Sequence, residues 1–112
     1  DAGDQLKESG SPEDGTQAVE LYEKSYRAYT QAVELEPGNP NYLNDLAVVL
    51  HYNLQRDLGR ARELYKKAAE RAEAELARTD LAPDVRELYK TALRDSRNNL
   101  KKLEKGEKRE GG

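Results

Sequence analysis

The chain contains no cysteine, methionine, tryptophan, phenylalanine or isoleucine. Without cysteine there is no disulfide, no thiolate nucleophile and no cysteine-based metal site, which fits a reducing compartment. With no signal peptide or transmembrane segment in the chain shown, the expected location is cytoplasmic. Histidine occurs once, at His51, so His and Cys together cannot supply the three or four ligands of a zinc site. The lack of methionine leaves no initiator residue, which reads as an excised domain or a processed product. Long apolar runs are missing too. No stretch reaches transmembrane length and no signal-peptide pattern occurs, so no membrane role is expected. With the large apolar residues so restricted, the core must come from Leu, Val, Ala and seven Tyr. Ala and Leu are strong helix formers, so this core suits close-packed helices better than a sheet.

What is abundant is charge. Of 112 residues, 37% are charged and 36% hydrophobic, and the mean hydropathy is -1.06. Such a balance describes either a disordered chain or helices with heavily charged outer faces, and periodicity decides for helices. The length fits one small domain. The net charge of -3 is unevenly spread: residues 1–37 hold three Lys/Arg against nine Asp/Glu, and residues 59–112 hold fifteen against eleven. An acidic front and a mildly basic back do not make a nucleic-acid footprint.

"DAGDQLKESG", residues 1–10, reads as a frayed terminus or a truncated helix. "SPEDGT" offers Ser11 as a helix cap with Pro12 in the first turn. From there to Glu36 the pattern is helical. Ala18, Tyr22, Ser25, Tyr29 and Ala32 recur at steps of four and three, with Val19, Leu21, Tyr26, Val33 and Leu35 widening the stripe. "PGNPN" breaks the chain. A second helix is expected from Asn41 to Leu54, with Leu43, Leu46, Ala47, Leu50 and Leu54 inside. A third runs from Gly59 to Arg78, with Ala61, Leu64, Tyr65, Ala68, Ala72 and Leu76 inside. A fourth follows "RTDLAPD", capped by Thr79 or Asp80, and ends near Leu103. Its inner side holds Val85, Leu88, Tyr89, Ala92, Leu93, Ser96, Leu100 and Leu103. Residues 105–112 read as a disordered tail. Short polar turns favour antiparallel neighbours, and no alternating strand pattern occurs. The expected fold class is all-α, an antiparallel helix-turn-helix array spanning residues 11–104.

The spacing resembles the tetratricopeptide repeat family, built of helix pairs marked by small and large residues at fixed intervals. Leu46, Ala47 and Leu50 match the first helix of a pair, and Ala61, Tyr65 and Ala68 match the second. Tyr29, Ala32 and Pro37 match the close of a preceding repeat, and "PGNPNY" resembles the turn between repeats. Two departures stand out: two extra residues lie between Leu50 and Ala61, and Glu73 stands where a closing Pro would fall, so the third helix should run longer. A weaker resemblance links "AEAELARTDLAPDVRELYKTALRDSRNNL" to the last helices of the 14-3-3 phosphopeptide adaptors, where Asn99 falls at an asparagine that contacts the bound peptide backbone.

The tetratricopeptide resemblance implies a groove lined by the first helix of each pair. Its candidates are Asn41, Asn44, Asp45, Val48, His51, Tyr52 and Gln55. Asp45 and Val48 do not fit the family's carboxylate-clamp subclass, which uses lysines and asparagines. The fourth helix adds a basic row, Arg86, Lys90, Arg94, Arg97, Lys101 and Lys105, within a sector of about 100°. Such a row suits an acidic or phosphorylated peptide, or serves as a solvated face that balances the acidic front. Asn99 lies on the apolar stripe, where a buried amide must find partners. His51 has no nucleophile or acid at helical spacing, so it reads as a groove- or solvent-facing ring rather than a base. No GxxxxGK or GxGxxG loop occurs, and the acidic residues are scattered. No cofactor and no metal is expected. The residues point to a non-enzymatic module that binds a peptide or protein segment. The alternative is a structural module that self-associates through apolar edges, as a homodimer or against neighbouring repeats.

Overall fold

Residues 12–111 are described by a computed structural model, so the expectations for residues 1–10 and for Ser11 as a cap lie outside it. Among the described residues there are four helices in sequence and no strand: α1 (Pro12–Leu35), α2 (Pro40–Val48), α3 (Leu58–Leu76) and α4 (Pro83–Gly111). A π-helical segment, Val49–Leu54, prolongs α2 without a break. The all-α helical array read from the sequence is what forms.

The turns follow local chemistry. α1 closes on the Glu36 N–H to Ala32 carbonyl bond, 2.9 Å, and Pro37 prevents continuation. The Asn39 side chain then caps α2, accepting from the N–H groups of Asn41 and Tyr42 at 2.9 and 3.3 Å. Pro40 is the first residue of α2, not the last of the breaker. Its missing N–H is one that a first helical turn leaves unpaired anyway. At the other end, Asp80 does not cap α4. It takes the Arg78 guanidinium in two bonds of 3.0 and 2.8 Å, while Arg86 of α4 donates to the carbonyls of Leu76 and Arg78 at 3.1 and 2.7 Å. Arg86 thus satisfies carbonyls that the end of α3 leaves open.

The core is made of the small and large residues the spacing selects: Leu43, Leu46, Ala47 and Leu50 from α2 and its continuation, Ala61, Leu64, Tyr65 and Ala68 from α3, and Leu103 from α4. Ala47, Ala61 and Ala68 have no exposed surface. Their short side chains let α2 and α3 approach closely, since interhelical distance follows the residues at the contact. α1 packs on this unit with Tyr26, Tyr29 and Val33.

Four apolar positions depart from the expected stripes. Leu35 is 82% exposed, and Val19, Leu21 and Leu88 are exposed as well. The stripe on α1 is therefore narrower than the run of apolar residues in its sequence. α4 also continues past the expected end at Leu103, to Gly111. No helix of the described residues is long and apolar enough to cross a membrane.

The two extra residues between Leu50 and Ala61 are taken up in two ways. The π-helical turn holds one more residue than an α turn and is closed by the Gln55 N–H on the Leu50 carbonyl, to which the Arg56 N–H also donates at 3.2 Å. The chain then reverses through Gln55 and Asp57, both left-handed, with φ of 53° and 51°. Side chains from α1 brace this reversal. Glu23 holds the Arg56 guanidinium in a two-point ion pair. The Tyr26 ring lies against both Arg56 and Arg60, with guanidinium carbons 5.4 and 5.8 Å from its centroid. The Tyr26 hydroxyl also accepts from Arg60 at 2.6 Å.

Candidate functional site

Helical spacing on α2 puts Asn41, Asp45, Val48 and Tyr52 on one stripe, with Asn44 and His51 beside it towards the core. The structure brings part of this stripe against α4. Tyr52 donates its hydroxyl to Asn99 Oδ1 at 3.2 Å, and Asn99 Nδ2 reaches Asn44 Oδ1 at 3.5 Å. Asn44 is only 8% exposed. An amide that far from water needs hydrogen-bond partners, and the α4 amide is the one that meets it. Asn99 is thus placed by packing from both sides: its helix neighbours Ala92, Ser96 and Leu103 are buried, while its amide points at α2.

Asp45 is half-buried on the same side. Burial holds its carboxyl above the ordinary carboxylate range, and the negative charge of Asp95 on α4 pushes in the same direction. Among the described residues no cation pairs with Asp45; Asp95 takes its own neighbour, Arg94, at 3.2 Å. The sequence reading did not select Asp95. The signal was available: Asp95 lies four residues before Asn99, hence on the same face of α4.

His51 does not face solvent freely. Its Nδ1 lies 3.0 Å from the hydroxyl of the fully buried Tyr65, and its ring stacks on Tyr52 at a centroid distance of 4.1 Å. Tyr65 stands edge-on to the same ring at 5.7 Å. Burial pushes the Tyr65 phenol well above its ordinary value, so it stays neutral. The histidine thus joins a core hydroxyl to a surface aromatic. Val48 packs at the edge of the core, and Asn41 is half-buried near the start of α2.

The basic row on α4 lies elsewhere. Arg86 closes the end of α3, Arg97 pairs with Glu73 of α3, and Lys90 pairs with Glu87 of its own helix at 3.3 Å. Arg94 bonds its neighbour Asp95, and Lys101 is exposed. The row therefore faces outward and towards α3, whereas Asn99 and Asp95 face α2. The candidates from the two helices do not form one groove. Asn44, Asp45, His51, Tyr52 and Asn99 assemble; Arg86, Lys90, Arg94, Arg97 and Lys101 make a separate surface. Sequence reasoning also missed the Glu23, Tyr26, Arg56 and Arg60 brace, which joins residues over thirty positions apart. Among the described residues, no group of three or more His, Asp or Glu side chains is placed to hold a metal ion. Chemically, the assembled surface offers amide donors and acceptors, a phenol, an aromatic stack and two carboxylates.

No protein-family model matches the chain, and no solved structure matches it. Among curated proteins it is similar to the photosystem I assembly protein Ycf3 of Rippkaea orientalis, with 45% identity over 53 residues. The match covers 43% of this chain and 31% of that protein, so it spans under a third of the relative's length. The resemblance of the C-terminal helices to 14-3-3 adaptors finds no support in these comparisons.

Proposed function

We propose that this chain is a non-enzymatic protein-interaction module, a tetratricopeptide-like helical array in which a partner segment lies across α2 and α4. The observation that carries the reading is the meeting of Asn44, Tyr52 and Asn99. Two side chains of α2 and its continuation meet one of α4 by hydrogen bonds at the rim of an apolar core. Such amides can grip the backbone of an extended chain while side chains beside them select its sequence. The similarity to an assembly protein supports a protein as the partner. The Leu46–Ala47–Leu50 and Ala61–Tyr65–Ala68 pairing, all buried, supports the tetratricopeptide reading.

A peptide array followed by Asn99→Ala and Tyr52→Ala tests it. Both variants are expected to lose most binding while keeping the helical circular-dichroism signal. Undiminished binding by both sinks the groove. The exposed Leu35, Val19, Leu21 and Leu88 favour a second reading, self-association through the outer faces of α1 and α4. Few-repeat arrays bury little core alone, and three or more repeats are usual. Sedimentation at low and high concentration separates the readings: a mass that doubles with concentration supports self-association, and a constant monomer mass excludes it.

A further inference from the structure

The turn Val49–Leu54 and the arginine just beyond it are held by side chains from three helices. His51 lies 3.0 Å from the Tyr65 hydroxyl of α3, and Tyr52 donates to Asn99 of α4 at 3.2 Å. Arg56, whose N–H meets the Leu50 carbonyl within the turn, takes Glu23 of α1 in a two-point ion pair. The Tyr26 ring of α1 lies 5.4 Å from the same guanidinium carbon. Contacts with α4 and with α1 are therefore made by Tyr52 and Arg56, one turn of chain apart.

This segment is strained. A π turn is rare, and the chain leaves it through Gln55 and Asp57, both in the left-handed region that a Cβ disfavours. Backbone of this kind persists only where its surroundings hold it. The holders differ in firmness. Leu43, Tyr65 and Ala92 are buried side chains of α2, α3 and α4, whereas no residue in the 17–35 part of α1 is buried. An element with so few buried contacts opens before the rest of a fold.

We infer that α1 is a detachable arm, and that the π-helical turn couples its docking to the α2/α4 surface. With α1 docked, Arg56 is anchored on Glu23 and Tyr26, the turn is held wide, and Tyr52 is delivered to Asn99. With α1 released, Arg56 loses its anchor and the turn rewinds to an ordinary α turn, which holds one residue fewer. The residue it sheds passes into the reversal at residues 55–57. Rewinding swings the Tyr52 side chain about the helix axis and off Asn99, while Leu43, Leu46, Ala61 and Tyr65 keep α2 on α3. The coupling is reciprocal by thermodynamic necessity: whatever favours the Tyr52–Asn99 contact favours docked α1. A partner that pulls α1 away would therefore undo that contact without touching either residue.

The test uses the full chain with no ligand. Amide hydrogen exchange reads α1 and α3 separately, and the side-chain amide resonances of Asn99 read its contact with Tyr52. Glu23→Gln weakens the Arg56 anchor from the α1 side. It is expected to quicken exchange in α1 and to shift the Asn99 resonances. Asn99→Ala is the reverse experiment. Asn99 bonds residues of α2 and its continuation, not of α1. Its loss should nevertheless make α1 amides exchange about fivefold faster or more, while Leu64, Tyr65 and Ala68 keep their rates. Lys90→Ala, on the outer face of α4, should change neither reading. The inference is overturned if Asn99→Ala leaves α1 at the wild-type rate. It is also overturned if Leu64, Tyr65 and Ala68 quicken equally, because a general loss of stability then explains the rise. Glu23→Gln that leaves either reading unmoved has the same consequence. Should Asn99→Ala not fold, Tyr52→Phe removes the same hydrogen bond and is judged by the same rates.

Discussion

The reversal after the π-helical turn makes a quantitative demand. Gln55 sits at φ 53°, ψ 46°, where the Cβ of an L-residue crowds the backbone. The cost is about 1–2 kcal/mol relative to right-handed geometry. A glycine in its place would carry no such cost, but it would raise the entropy of the unfolded chain by roughly 0.5–1 kcal/mol. Gln55→Gly should therefore stabilise the fold by about 0.5–1 kcal/mol. For a domain of this size that raises the midpoint of thermal unfolding by roughly 2–6 °C. Asp57 has nearly the same backbone, φ 51°, ψ 45°, but should respond differently. Aspartate tolerates the left-handed region better than glutamine, and its charge lies at the positive end of α3. Asp57→Gly should come out near zero or slightly destabilising. Gly59→Ala serves as a control in the opposite sense. A Cβ there meets nothing within 4 Å, so the substitution should stabilise by up to about 1 kcal/mol through helix propensity alone. Thermal melts at 222 nm and urea midpoints measure all three. The reasoning is refuted if Gln55→Gly destabilises while Gly59→Ala stabilises, because that pattern would show the Gln55 side chain contributing more than its backbone costs.

Asp45→Asn should stabilise at neutral pH. The folded state raises the Asp45 pKa above its ordinary 3.8, so its contribution is favourable below that value and lost as pH rises through the folded pKa. The advantage of Asn over Asp should therefore vanish near pH 3 and grow to a plateau by pH 7, and urea midpoints across that range check it. Leu46→Ala should cost about 2–5 kcal/mol, because Leu46 is fully buried at the α2/α3 contact; a loss under 1 kcal/mol would show that the site collapses freely. Arg56→Ala should release α1 selectively. Hydrogen exchange should quicken in Pro12–Leu35 while the amides of α3 keep their protection, and uniform loss of protection would contradict the brace.

Much of this arrangement was legible because it depends on spacing. Leu43, Leu46, Ala47 and Leu50 recur at helical intervals, and burial follows that period directly. The two prolines and the glycine of "PGNPN" marked the first turn for the same local reasons that the structure shows. What spacing does not encode is which neighbour a face meets. The basic row of α4 shares one side of its helix, as its positions require, but the side turned towards α2 carries Asp95 and Asn99 instead. Leu35 continues the apolar run on α1 by number and still lies exposed, while Val33 two residues earlier packs on the core. The extra residues before Ala61 could be counted in the sequence. Their absorption into a wider helical turn depends on Arg56 finding Glu23 and Tyr26 on another helix, a long-range contact that no local pattern announces.

The same wider turn constrains how such a chain can change by insertion and deletion. Removing one residue from Val49–Leu54 would let α2 finish as an ordinary helix, and that alone would be cheap. It would also turn everything after it by about 100° about the helix axis. Arg56 would swing away from α1, and the reversal into α3 would lose its support. The length of this segment and the docking of α1 are therefore inherited together: a chain that lost the residue would have to acquire a new way of holding its first helix.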